Sequence, residues 1–222
     1  MTKFLYLHGF ASGPDSKKGV AISAHLATRG IAVQRLNLRV PSFEHLRLSA
    51  MIEVARAAIG GPEDRAVVLG SSLGGLTAAR LAERDERVRA LVLLAPAFQL
   101  VAQWRARAGE AEWRAAQERG WFEVDDLVNG GHAHVDFDFT IDAAHVDSTP
   151  FPDVRVPTLI VHGTRDDVVA FERSSDFAKT RPNVHLVPVD DGHDLGASVD
   201  RITSEIDAFF RDRGEIVARQ RA

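Results

Sequence analysis

The stretch Arg65-Ala66-Val67-Val68-Leu69-Gly70-Ser71-Ser72-Leu73-Gly74-Gly75-Leu76 runs a short apolar segment straight into a serine flanked by small residues. Ala66 to Leu69 read as a buried strand. From Leu73 to Arg84, Leu76, Ala79 and Leu81 recur at helical spacing. Gly70-Ser71-Ser72-Leu73-Gly74 is the Gly-x-Ser-x-Gly pattern of a strand-to-helix elbow. Such a turn is so sharp that side chains two positions either side of the serine would clash, hence the glycines. The pattern presents Ser72 as a candidate nucleophile.

Outward from this elbow, apolar runs alternate with amphipathic ones. Strands are expected at Lys3–Leu7, Ile31–Leu36, Arg65–Leu69, Val88–Leu94, Thr158–Val161 and Val184–Pro188. Helices are expected at Lys17–Arg29, Phe43–Ile59, Leu73–Arg84, Phe171–Lys179 and Leu195–Arg211. Strands that alternate with helices imply an α/β fold: about six mainly parallel strands with helices on both faces. The polar strand ends His8-Gly9, Gly70-Ser71-Ser72 and His162-Gly163 all fall at carboxyl termini. Ligands of such sheets bind there.

Between Pro96 and Pro157 the rhythm breaks. Val101–Arg119 reads as a helix with Trp104 and Trp113. After Gly130-Gly131, His132, His134, Asp136, Asp138 and Thr140 alternate with Ala133, Val135, Phe137, Phe139 and Ile141, the period of a half-buried strand. An insertion at about 97–156, after the fourth strand of six, is expected above the carboxyl edge as a lid on a single domain of residues 1–222. His132, His134, Asp136 and Asp138 are metal-ligand types. Spread along a strand at about 3.3 Å per residue, they cover roughly 20 Å, too far for one ion, so a solvated polar face is expected and no metal. The aromatic side, with Trp104, Trp113, Trp121 and Phe122, is lid packing or an acyl-binding wall.

A serine hydroxyl needs a base, and the base needs an orienting acid. The elbow therefore requires an Asp or Glu after one later strand and a His after the next. The sequence has His162-Gly163-Thr164-Arg165-Asp166-Asp167-Val168-Val169, then Asp190-Asp191-Gly192-His193-Asp194-Leu195. Ser72, Asp166 and His193 are in that order, with Asp167 as the alternative acid. His8 and His162 precede the acid and are read as structural. Ser71 is read as a small elbow residue, Ser12 as a loop hydrogen-bonding group, and Asp194 as an electrostatic start for the last helix.

These motifs resemble the α/β-hydrolase family across nearly all of the chain outside 97–156. Gly163-Thr164-Arg165-Asp166-Asp167-Val168-Val169 is similar to the family's Gly-x-x-Asp-x-x-Val acid motif and selects Asp166. Gly192-His193 is similar to its Gly-His motif. Leu7-His8-Gly9-Phe10-Ala11-Ser12 resembles the His-Gly-x loop. The resemblance implies that the backbone N–H groups of Phe10 and Leu73 form the oxyanion hole. The branch most similar is the small bacterial YqiA-like esterases, which carry a Tyr-Leu-His-Gly-Phe-x-Ser stretch and Gly-Ser-Ser-Leu-Gly-Gly. This chain differs in a longer segment before the acid strand. It opens directly on the His-Gly strand, without the first two strands of larger family members.

The resemblance implies a serine hydrolase that cleaves a small-molecule ester through an acyl-enzyme, with no cofactor. Thioesterase, amidase, peptidase, cofactor-free perhydrolase and C–C hydrolase activities occur on the same fold and stay open. A non-catalytic binding protein is a further alternative. With 222 residues, 45% hydrophobic and 26% charged, the chain is long enough for one sizeable core. A net charge of −4 argues against nucleic acid. No apolar stretch approaches the roughly 20 residues of a membrane span. The N-terminus lacks the cleavage site of a signal peptide. The absence of cysteine leaves no disulfide framework. A cytoplasmic location is expected, and oligomeric state stays open. The charged tail after Arg211 is expected to fray.

Overall fold

A computed structural model describes residues 1–211; the tail expected to fray lies outside the described residues. In chain order the elements are β1 (Thr2–Leu7), α1 (Lys17–Ala27), β2 (Val33–Leu36), α2 (Leu48–Ile59), β3 (Arg65–Ser71), α3 (Leu73–Ala82), β4 (Val88–Leu94), α4 (Leu100–Arg119), β5 (Trp121–Asp125), β6 (His132–Asp136), α5 (Asp138–Val146), β7 (Thr158–Gly163), α6 (Phe171–Lys179), β8 (Val184–Val189) and α7 (Val199–Arg211). The main sheet has six strands in the order β2-β1-β3-β4-β7-β8. Every pairing in it is parallel.

Strand periodicity sorts the core into two layers. Leu5, Leu7, Ala66 and Val68 face a cluster built with Leu48, Met51, Ile52 and Ala55 of α2, Leu76 of α3 and Phe177 of α6. Phe4, Tyr6, Val67 and Leu69 face the other side, against Ile22 and Leu26 of α1 and Ile202, Ile206, Phe209 and Phe210 of α7. Successive residues point to opposite faces, so a strand covered on both sides reads as a continuous apolar run. The strand order reverses between β1 and β3. The loops that leave these two strands lead to helices on opposite faces of the sheet, α1 on one and α3 on the other.

The segment between β4 and β7 differs from its sequence pattern in two places. The alternation from His132 to Ile141 does not continue as one strand. β6 pairs antiparallel with β5 as a separate two-stranded sheet and ends at Asp136. Phe139, Ala143 and Val146 then bury one face of a helix, at spacings of four and three, and leave Ile141 59% exposed. Both periods fit residues 135–139, and the long-range packing of Ala143 and Val146 selects the helix. The helix expected over Val101–Arg119 is interrupted at Gly109, whose φ of 80° and ψ of 157° are not helical.

The helix expected from Phe43 starts only at Leu48. The residues before it are held in a loop: Arg47 N–H donates to Val40 O, and Glu44 O accepts from Asp136 N–H. Before α7, Leu195 adopts a left-handed conformation and a 3₁₀ turn runs over Gly196–Ser198. Asp194 Oδ1 accepts the Gly196 N–H at 3.1 Å, within this turn. Among the described residues, no helix is long and apolar enough to cross a membrane.

Candidate active site

Ser72 follows β3 directly, with φ 53° and ψ −117°. A positive φ is costly for a residue with a side chain, and surrounding contacts must hold it. They do so here. Ser72 N–H donates to Leu94 O, and Ser72 O accepts from the N–H groups of Gly75, Leu76 and Ala97. The flanking glycines are required by contact. A Cβ on Gly70 would fall on the Gly74 carbonyl, and a Cβ on Gly74 would fall on the carbonyls of Leu7 and His8. The start of α3 is thus pressed against the end of β1. A Cβ on Gly9 would lie 3.3 Å from Ser72 Cβ, so the loop after β1 lies beside the serine.

The two later loops meet at this serine. A Cβ on Gly163 would meet the carbonyls of Asp191 and Gly192, so β7 and the loop after β8 approach too closely for any side chain between them. His193 Nε2 lies 3.0 Å from Ser72 Oγ, and its Nδ1 lies 2.7 Å from Asp166 Oδ2. The Asp166 side chain is wholly buried. Its Oδ1 accepts the Val168 and Val169 amides at 2.9 and 2.8 Å. Burial pushes the Asp166 carboxyl up, but hydrogen bonds from His162, His193 and the Val169 amide, with the charge of His193, outweigh it. They hold the group well below the ordinary carboxylate range. Asp167 is exposed, and it is Asp166 that meets His193.

Leu73 opens α3, and the first N–H groups of a helix have no intrahelical acceptor. Among the described residues, neither the Leu73 nor the Phe10 amide donates to a protein acceptor. The Phe10 ring packs on Phe43, Trp104 and Phe139, at centroid distances of 5.6, 5.2 and 6.2 Å. Beside Phe10 and Leu73 lies a shallow cleft lined by Leu38, Phe43, Leu46 and Met51.

Of the two histidines read as structural, His8 bridges loops. Its Nδ1 donates to Gly9 O at 2.9 Å, and its Nε2 accepts the Leu38 N–H at 3.0 Å. Burial pushes its imidazole below the ordinary range. His162 does more than fill space: its Nε2 lies 3.0 Å from Asp166 Oδ2. Two further residues carry no motif. Lys18 Nζ reaches the His193 carbonyl at 3.5 Å, and burial pushes its ammonium below the usual range. Arg39, after β2, grips Asp126 with two hydrogen bonds of 2.8 and 2.6 Å. Next to Asp126, the Leu127 amide donates to Ala11 O at 3.1 Å, tying the β5–β6 turn to the loop that carries Phe10.

His132, His134, Asp136 and Asp138 do not converge. His132 faces Asp125, the His134 ring stacks on Trp121 at 3.6 Å, Asp136 lies 2.8 Å from His45 Nδ1, and Asp138 faces Arg47. Among the described residues, no group of three or more ligand side chains is arranged to hold a metal ion. Trp113, Phe122 and Phe137 form a small buried cluster of their own, whereas Trp104 links that cluster to Phe10.

A model of the uncharacterised protein family UPF0227 matches residues 3–211. The chain belongs to that family. Solved structures share its α/β-hydrolase fold. Mouse alpha/beta hydrolase domain-containing protein 10 is 22% identical at a TM-score of 0.78, the match covering 95% of this chain and 90% of that one. Est1E from Butyrivibrio proteoclasticus, solved with ferulic acid bound, is 22% identical at a TM-score of 0.72, over 98% of this chain and 90% of that one. An esterase domain from a Rhodothermus marinus protein is 18% identical at a TM-score of 0.66, over 95% and 86%. No curated protein matches the sequence significantly.

Proposed function

We propose that this chain is a serine hydrolase that cleaves a small carboxylic ester, with Ser72 as nucleophile, His193 as general base and acid, and Asp166 as orienting acid. The observation that carries the reading is the continuous relay from Ser72 Oγ through His193 to Asp166, at 3.0 and 2.7 Å. His193 Nε2 takes the hydroxyl proton as Oγ attacks the ester carbonyl carbon. The Phe10 and Leu73 amides receive the developing oxyanion, each typically worth about 3 kcal/mol. His193 then gives the proton to the departing alcohol, leaving an acyl-serine. Water donates a proton to His193, attacks the acyl carbon and releases the acid, and the proton returns to Ser72.

The strained backbone of Ser72 fits the role, because it points Oγ out of the turn. The segment 97–156 is read as a lid whose Trp104 and Phe139 buttress the oxyanion loop through the Phe10 ring. The three side chains and two amides supply nucleophile, base and charge stabilisation, so the proposed reaction requires no cofactor. The test is turnover of aryl esters of graded acyl length, beside matched thioesters and amides. Ser72→Ala is expected to lower ester turnover at least ~10³-fold and to abolish labelling by a fluorophosphonate. Activity retained in that variant would remove Ser72 from the nucleophile role.

A further inference from the structure

Asp166 receives four hydrogen bonds, and one of them comes from a side chain outside the Ser72–His193–Asp166 relay. It comes from His162, near the end of β7. The side chains of His162 and Asp166 are both wholly buried. His162 Nε2 lies 3.0 Å from Asp166 Oδ2 and 3.0 Å from Val169 O. Both partners accept only, so the ring proton sits on Nε2 and is shared between them. Nδ1 is left to accept, and the Ser174 hydroxyl of α6, also buried, donates to it at 2.7 Å. The neighbours thus select one tautomer and one ring orientation.

An ionised carboxylate offers about four acceptor sites. The Val168 and Val169 amides occupy Oδ1, and His193 and His162 occupy Oδ2. We propose that His162 is a positioning residue of the site: a second imidazole donor that fixes the Asp166 carboxylate so that Oδ2 faces His193 Nδ1. This rests on the relay reading above. A purely space-filling ring would need only apolar neighbours, such as Phe171 edge-on at 5.7 Å. His162 instead meets three polar groups, Asp166 Oδ2, Val169 O and the Ser174 hydroxyl, each within hydrogen-bond distance.

The experiment compares the full chain with His162→Phe, which keeps the ring and removes the donor, and His162→Gln, whose amide nitrogen lies as many bonds from Cα as Nε2. Readouts are kcat and KM per site titrated with a fluorophosphonate, and the downfield proton resonance of the His193–Asp166 hydrogen bond. His162→Phe is expected to lower kcat at least about tenfold, as small misplacements of catalytic groups do, with KM within about twofold and the resonance shifted or lost. His162→Gln is expected to recover most of kcat and the resonance. A His162→Phe variant with kcat within twofold of wild type and an unmoved resonance overturns the proposal; so does a Gln variant no better than Phe per titrated site. If His162→Phe does not fold, His162→Asn replaces it, its amide being one bond short of Asp166; equal kcat for Gln and Asn then overturns the proposal. If the wild type hydrolyses no ester, the esterase reading fails separately. The resonance in the variants still decides the role of His162.

Discussion

Asp126→Asn should cost about 3 kcal/mol of stability at neutral pH. Asp126 is 5% exposed and Arg39 13% exposed. Its Oδ1 accepts from Arg39 Nη1 at 2.8 Å and from the Val128 and Asn129 amides at 3.0 and 3.2 Å. Its Oδ2 accepts from Arg39 Nη2 at 2.6 Å and Asn129 Nδ2 at 2.9 Å. Asparagine retains one acceptor and turns an NH₂ group toward donors at the other. A charge-assisted bond contributes about 1.5–3 kcal/mol, and breaking a fully buried pair costs about 3–5 kcal/mol. Hydration of the partly exposed Arg39, which keeps its stacking over Phe43, brings the expectation to the lower end of that range. In a chain of this length that is roughly 6–12 °C in Tm. The Arg39 hydrogen bonds, helped by the backbone amides and opposed by burial, hold Asp126 below the usual carboxylate range. A group depressed in this way stabilises the fold above its unfolded pKa, near 3.9, and loses that contribution as pH falls toward the folded value. The gap between wild type and variant should therefore be full at pH 7 and shrink below about pH 4. Thermal and urea unfolding followed by circular dichroism across pH measure it. A loss under about 1 kcal/mol at pH 7, or a gap that grows in acid, refutes the reasoning.

Gly74→Ala would force a methyl onto the carbonyls of Leu7 and His8, so it should cost more than the roughly 1–3 kcal/mol of ordinary overpacking, read as a fall in Tm, and displace Leu73 from the Phe10 loop. Gly163→Ala would drive the Asp191–Gly192 backbone away from β7; ester kcat should fall with KM little changed, and full kcat would show that the two loops can part without cost to the relay.

Much of the geometry of the candidate site is legible in the sequence because its elements obey local rules. The elbow needs small residues within two positions of Ser72. The buried parallel strands read as apolar runs, and the polar residues at their carboxyl ends mark one sheet edge. Asp166 and His193 stand at the ends of successive strands in the order that the elbow requires. Other features were not legible. His162 sits in the same motif as Asp166, yet nothing in its spacing says that its Nε2 turns toward that carboxylate, since Ser174 and Val169 make that choice. Lys18 and Arg39 have no motif at all; they meet partners 175 and 87 residues away.

The sequence by itself determined the alternating α/β architecture, the elbow at Ser72 and the order of the candidate acid and base, because strand period, helix period and turn sterics act over a few residues. The tertiary structure alone decided that residues 138–146 form a helix and that the β5–β6 turn holds the Ala11 carbonyl. Local energies at these places are nearly balanced between conformations. Burial of Ala143 and Val146, or a hydrogen bond across more than a hundred residues of chain, tips the balance, and such contacts exist only once the sheet has brought distant segments together.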